Sequence, residues 1–93
     1  MDKTIWKFEL EVTDNQVIEM PIGSELLTVQ VQNGKPCLWA LVNPTKNKEK
    51  RFIEMFGTGH EIHYDMGISR NYLGTLQFHD GLLIVHVFEY TGV

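Results

Sequence analysis

The chain has 93 residues, of which 43% are hydrophobic and 22% are charged, and its formal net charge at pH 7 is −4. A chain of this length buries roughly 60 to 65% of its unfolded surface, which is enough for one domain to fold alone with little to spare. The acidic balance argues against non-specific nucleic-acid binding as the main task, and no apolar run approaches the ~20 residues of a membrane-spanning helix. We therefore predict a single domain over residues 1–93.

The compartment is predicted from the one cysteine and from the first residues. Cys37 is the only cysteine, so the chain cannot form an internal disulfide, and a buried, inert thiol is the expected role. Residues 1–4 lead directly into a strand pattern and show no signal-peptide features. These observations favour a reducing, cytoplasmic environment.

The first half of the chain alternates polar and apolar residues with the period of two that is typical of half-buried strands. Strands are predicted over residues 4–10, 16–20, 26–32 and 36–42. Asn33-Gly34 joins the last two of them. This dipeptide favours the type I′ turn of a tight hairpin, because both positions of that turn require positive φ.

Counting outward from this turn sets the register of the hairpin. The predicted cross-strand pairs are Gln32 with Lys35, Val31 with Pro36, Gln30 with Cys37, Val29 with Leu38, Thr28 with Trp39 and Leu27 with Ala40. One face is then apolar, whereas the other places the Trp39 indole among amides and a hydroxyl. The mixed face is interpreted either as a second layer of core or as a subunit interface or ligand wall with the indole as its platform.

Basic residues concentrate after Asn43-Pro44 in an otherwise acidic chain. They are Lys46, Lys48, Lys50 and Arg51. The segment is interpreted either as a solvated loop or as an anion-facing lip, in which Arg51 is the best held because it begins the next strand. That strand is predicted over residues 51–56, with a short helix as the alternative.

The second half of the chain is predicted to contain a long loop followed by two strands. Glycines punctuate the loop over about 57–71, and the strands cover 72–78 and 82–90, joined by a turn at residues 79–81. The last strand is apolar on both faces, which indicates a central position in a sheet. Six or seven short strands without a helical stripe predict an all-β fold, a compact antiparallel sandwich or open barrel.

The loop contains the motif Gly57-Thr58-Gly59-His60. Two glycines that flank a hydroxyl can direct backbone N–H groups at an anion, with the imidazole beside it, but the same residues also serve a plain turn. The spacing of the histidines does not fit a metalloprotease helix, and His86 in the central strand is interpreted as a hydrogen-bonded core residue. We expect no metal, no cofactor and no catalysis.

Aromatic residues suggest a binding role. The Trp39 or Tyr72 ring can stack on a base, with Arg51 or Arg70 for a phosphate, as nucleotide pockets commonly require. Thr58 and nearby backbone N–H groups are then candidates to hold the phosphate. The candidate ligand-binding residues are Trp39, Arg51, Gly57, Thr58, Gly59, His60 and Tyr72.

Several segments together resemble a family of short, functionally unassigned bacteriophage and prophage proteins. The segments are 5–8, 20–21, 29–34, 36–42, 57–60, 72–75 and 86–88. The resemblance implies an accessory protein that acts by binding in the cytoplasm of a host bacterium. Our first hypothesis is a homo-oligomeric sponge that sequesters a nucleotide-derived immune signal, a cyclic nucleotide or an ADP-ribose derivative. The alternative is an interaction or structural protein that docks a host or virion protein through the Trp39 face, and the third is an enzyme with a site centred on His60.

Overall fold

A computed structural model describes residues 2–92, so the two terminal residues of the expected domain lie outside the described range. The strands are β1 (Thr4–Glu9), β2 (Asn15–Pro21), β3 (Glu25–Gln32), β4 (Lys35–Val42), β5 (Lys48–Gly57), β6 (Ser69–Phe78) and β7 (Leu83–Gly92), with a short 3₁₀ turn at His79–Gly81. They form two antiparallel sheets. Sheet A has the order β1-β4-β3, and sheet B has the order β2-β5-β7-β6. The predicted all-β sandwich is confirmed.

The two sheets share one apolar core. Sheet A contributes Val29, Leu38, Ala40 and Val42, and sheet B contributes Met20, Ile53, Met55, Leu76, Phe78, Val85 and Val87. The shortest extent of the Cα trace is 15 Å, which suits two layers of stacked sheet about 10 Å apart. Alternate residues of each strand therefore face the core, and the others form two outer faces.

The hairpin of β3 and β4 has the predicted turn and most of the predicted register. Asn33 and Gly34 have φ values of 52° and 77°, as the type I′ turn requires. The pairs from Thr28–Trp39 to Gln32–Lys35 are confirmed. The prediction that Leu27 faces Ala40 is wrong, because a bulge shifts the register and Leu26 takes that place. Leu27 is left 42% exposed.

Sheet B differs from the expectation at the ends of two strands. β5 is a strand and not a helix, and it begins at Lys48 because β2 pairs with it from Pro21 opposite Lys48 onward. Lys48 and Lys50 therefore belong to a strand rather than to a loop. β6 begins at Ser69, opposite Gly92, so the long loop is shorter than predicted. The central position of β7 is confirmed, since it lies between β5 and β6.

The connection from β5 to β6 runs along the outer face of sheet B. Both strands pair antiparallel with β7, so they run parallel to each other, and the chain must return to the opposite end of the sheet. Gly57 pairs with Val85 and Ser69 with Gly92, a separation of roughly 23 Å at ~3.3 Å per residue. Residues 58–68 cover this distance, and we call them the strap.

Candidate functional site

A groove of about 510 Å³ lies at one end of the sandwich. The β2–β3 turn, the start of β5 and the end of β7 form its walls. Its lining includes polar, charged and aromatic residues, namely Ser24, Lys50, Arg51, Phe52, Glu89 and Tyr90. Phe52 is 48% exposed and Tyr90 is its cross-strand neighbour. The groove is therefore lined by two aromatic and two basic residues, with Phe52 and Tyr90 on the outer side of sheet B and Arg51 on the core side. We call it the end groove.

Arg51 is held on the floor of the end groove by Glu89. Its Nε donates to Glu89 Oε2 at 2.5 Å, its Nη2 donates to Oε1 at 3.1 Å, and its Nη1 donates to the Ser24 carbonyl oxygen at 2.8 Å. Glu49 lies 3.5 Å from Nη1. The hydrogen bond that Arg51 donates to Glu89 raises the pKa of Arg51, against the opposing effect of burial, and attraction to Glu89 and Glu49 raises it further.

The pairing changes what Arg51 can do. The Glu89 carboxylate compensates the guanidinium charge, so an anion that enters the groove gains limited attraction from Arg51. Lys50 is exposed at the same wall. The groove therefore offers a rigid guanidinium as a hydrogen-bonding surface and the Lys50 ammonium as its positive charge.

A row of hydrogen-bonded side chains crosses the outer face of sheet B. Thr58 Oγ1 lies 2.6 Å from His86 Nε2, and Thr75 Oγ1 lies 2.9 Å from His86 Nδ1. Tyr72 Oη is hydrogen-bonded to Thr75 Oγ1. A neutral imidazole donates through one nitrogen and accepts through the other, so both ring nitrogens of His86 are engaged. His86 is hydrogen-bonded as predicted, but it lies half-buried on the outer face and not in the core.

The Gly57–His60 motif forms a tight turn at the end of β5. The His60 N–H donates to the Gly57 carbonyl oxygen at 3.1 Å, and Gly59 at the third position has a φ of +88°. This is the pattern of a type II turn. The His60 N–H and the Thr58 hydroxyl, two of the donors expected to hold an anion, have partners within the chain. The geometry is that of the plain-turn interpretation.

Arg70 fastens the strap to sheet B. Its Nε donates to Glu54 Oε1 at 2.7 Å and its Nη1 donates to the His63 carbonyl oxygen at 2.7 Å. The guanidinium carbon lies 4.7 Å from the centre of the Tyr64 ring, and the side chain is only 5% exposed. The hydrogen bond to Glu54 raises the pKa of Arg70. Sequence reasoning offered Arg70 as a phosphate ligand and missed this arrangement, which no local spacing signals.

The Trp39 face is the outer face of sheet A. Ile5 is 56% exposed and Leu27 is 42% exposed, and both border the half-buried Trp39 ring. Together with Thr28 and Gln30 they line a shallow depression of about 310 Å³. Toward the turn of the hairpin the face becomes polar, where Lys7 Nζ donates to Gln32 Oε1 at 2.7 Å. Cys37 is 1% exposed, as a buried thiol requires.

The predicted ligand-binding residues occupy three separate places. Trp39 lies on the outer face of sheet A, Arg51 lies in the end groove, and the residues 57–60 and Tyr72 lie on the outer face of sheet B. The row through Thr75 and His86 brings Thr58 and Tyr72 into one surface. Trp39 and Tyr72 face away from each other, so one ligand contacts both only at a boundary between two chains.

The described part of the chain contains no metal-binding cluster and no unpartnered buried polar side chain. Within residues 2–92, no group of three histidine, cysteine, aspartate or glutamate side chains is arranged to hold a metal ion. Over the same range, every buried side-chain nitrogen or oxygen has a hydrogen-bond partner. The helical structure described there is too short to cross a bilayer.

The fold defines a small antiparallel β-sandwich domain with a groove at one end and exposed apolar side chains on its outer faces. The family model described as "Domain of unknown function (DUF7352)" matches residues 1–92, and the chain belongs to this family. No curated protein and no solved structure matches the chain.

Proposed function

We propose that this protein binds a small nucleotide-type molecule in the end groove and sequesters it, as a homo-oligomer and without catalysis. The observation that carries the proposal is a groove of about 510 Å³ that is lined by both aromatic and basic residues. Its volume falls within the range of roughly 300 to 1,000 Å³ that small-molecule sites occupy. The polar contacts expected of such a site come from Lys50 and Arg51.

The ligand chemistry follows from the walls. A planar base stacks on Phe52, which is 48% exposed and lies opposite Tyr90 on the neighbouring strand. A phosphate or other anionic group lies beside Lys50, and Arg51 donates in the fixed orientation that Glu89 imposes. Phe52 thus takes the stacking role that the sequence suggested for Trp39 or Tyr72.

The resemblance to phage proteins supports a particular biological setting. An acidic domain of this size that resembles phage accessory proteins suits the capture of an immune messenger in an infected host bacterium. The messenger classes that combine a base with anionic groups are cyclic nucleotides and ADP-ribose derivatives. Capture alone removes the signal, so no reacting group is needed in the groove.

The test is a thermal-shift screen against cyclic mono- and dinucleotides and ADP-ribose derivatives, followed by calorimetry. A ligand at 100 times its Kd stabilises the fold by about 2.7 kcal/mol, which raises Tm by several degrees. Lys50→Ala and Phe52→Ser should each weaken binding at least about tenfold, whereas Lys46→Ala, an exposed lysine outside the groove, should not. Chromatography should recover the ligand unchanged. The proposal is wrong if no compound shifts Tm, or if both groove variants bind as the wild type does.

A second candidate function rests on the Trp39 face. The exposed Ile5 and Leu27 beside an indole resemble the apolar centre of a protein interface, and Thr28 and Gln30 resemble its polar rim. The partner would be a host or virion protein. Pull-down from infected cells should then recover one defined protein, and the variants Trp39→Ala and Gln30→Ala should lose it while still folding. If both variants recover the same protein as efficiently as the wild type does, this function is contradicted.

A further inference from the structure

We propose that the Trp39 face is a self-association surface, on which a second copy of this chain docks about a two-fold axis. The inference deepens the homo-oligomeric part of the proposed function and rests on it in that respect. It needs no ligand, and it uses a face of the molecule that the end groove does not touch.

A connecting segment crosses only one of the two outer faces of the sandwich. The strap crosses the outer face of sheet B, and Tyr64 lies over the Arg70 guanidinium there. Sheet B still leaves Val17 at 49%, Phe52 at 48% and Tyr72 at 57% exposure, and sheet A leaves Ile5 at 56% and Leu27 at 42% exposure beside Trp39. The strap thus covers part of the outer face of sheet B, whereas no equivalent segment among residues 2–92 crosses the outer face of sheet A.

The charge distribution selects a second copy as the occupant. The charged residues in the strands of sheet A are Lys7, Glu9, Glu25 and Lys35. Their pairing partners place all of them on the outer face, where two bases balance two acids. The net charge of −4 therefore lies on the rest of the molecule. Two copies of an acidic chain repel each other least through a neutral face.

The accessible surface of the chain is also larger than that of a typical monomer of its mass, as expected if a partner covers part of it. The accessible surface is 6190 Å², whereas a monomeric globular protein of 10.8 kDa exposes about 5,500 Å². The radius of gyration of 13.8 Å exceeds the ~12.3 Å expected for a compact chain of this length. The excess of several hundred Å² approaches the ~800 Å² that each partner buries in a standard interface.

The position of Trp39 suits an isologous contact. β4 is the central strand of sheet A, so its indole lies near the middle of the face and close to a two-fold axis through it. Lys7 and Thr28 flank Trp39 on the neighbouring strands. Each indole, together with the aliphatic part of Lys7, then packs against the other copy's apolar residues. Two sheets that stack in this way lie about 10 Å apart.

Sedimentation velocity and light scattering test the inference on the full chain. We expect the wild type to form a particle of twice 10.8 kDa at micromolar concentration. Ile5→Lys and Leu27→Lys place a charge in the apolar centre and should raise the dimer dissociation constant at least about 100-fold. Val17→Lys is the matched control, because Val17 is a strand residue of sheet B that is 49% exposed. Circular dichroism and Tm establish that all variants are folded.

A wild-type chain that stays monomeric up to millimolar concentration overturns the inference. The Trp39 face would then be a binding surface for a different protein. A dimer that persists in both Ile5→Lys and Leu27→Lys also overturns it, because the contact must then lie elsewhere. The nucleotide screen distinguishes the two proposals. A monomeric wild type that binds nucleotide refutes only the self-association surface, and a dimer that binds none refutes only the ligand.

Discussion

Gly74 of β6 lies directly against Val29 of β3, so that a Cβ atom built on Gly74 would be 2.9 Å from Val29 Cγ2. The contact joins an edge strand of sheet B to an edge strand of sheet A. It coincides with a bulge in β6, where the pairing with β7 skips from Tyr72 to Gly74. Gly74 has a φ of +152°, so both its backbone and its neighbour favour glycine.

Gly74→Ala should lower the free energy of unfolding by about 1 to 3 kcal/mol, because the added methyl group overlaps a core side chain and strains the bulge. Urea denaturation measures the loss. Gly92→Ala is the matched control, since Gly92 has a φ of +150° and nothing within 4 Å of the place that a methyl group would take. If both variants lose the same free energy of unfolding, the cost comes from the backbone conformation and not from the contact with Val29. When Gly74→Ala is combined with Val29→Ala, the loss of stability measured for the double variant should be smaller than the sum of the losses of the two single variants.

Arg70→Met should release the strap. The change removes the hydrogen bonds to Glu54 and to the His63 carbonyl oxygen, and it leaves a largely buried carboxylate without its partner. We expect a loss of about 2 to 3 kcal/mol and faster chymotryptic cleavage after Tyr64. Limited proteolysis with mass spectrometry measures the cleavage.

The control for the strap is Lys46→Met, which removes an exposed base elsewhere and should change neither stability nor cleavage by much. Arg70→Met combined with Glu54→Leu should be more stable than Arg70→Met alone, because no unpaired carboxylate remains. Equal cleavage rates in wild type and Arg70→Met would show that the guanidinium does not hold the strap.

Arg51→Met should destabilise the fold by about 3 to 5 kcal/mol, because the Glu89 side chain is only 8% exposed and would lose both donors of its charge pair. Lys50→Met, one residue away and exposed, should change stability by less than about 0.5 kcal/mol. Thermal and urea unfolding compare the two variants. Similar stability in both would mean that the Arg51–Glu89 pair contributes little, and would leave Arg51 free to act as a ligand.

Asp80→Val should cost about 1 to 2 kcal/mol, because the β6–β7 turn holds Asp80 at a φ of 55° and a ψ of 36°. A β-branched residue is strained in this left-handed region, whereas glycine is not. Asp80→Gly should therefore match or slightly exceed the wild-type stability. Asp14→Val, at an exposed bend whose φ is not positive, controls for the loss of the charge. A tolerated Asp80→Val would show that the turn rearranges.

The sequence by itself determined the features that depend on neighbours along the chain. Alternation with a period of two located the strands, and the positive φ that Asn33-Gly34 accepts determined the hairpin turn and its register as far as Thr28. The doubly apolar pattern of residues 82–88 placed β7 inside its sheet. Each of these signals is decided within a few residues, so no knowledge of distant partners was needed.

Only the tertiary structure decided which side chains meet. Arg51 pairs with Glu89, 38 residues away, and Arg70 pairs with Glu54, 16 residues away. The same chain topology placed Trp39 and Tyr72 on opposite outer faces, and a bulge exposed Leu27 beside the indole. These contacts depend on which strands become neighbours and which face each strand turns inward. They are set by the burial of the whole core, which no local pattern encodes.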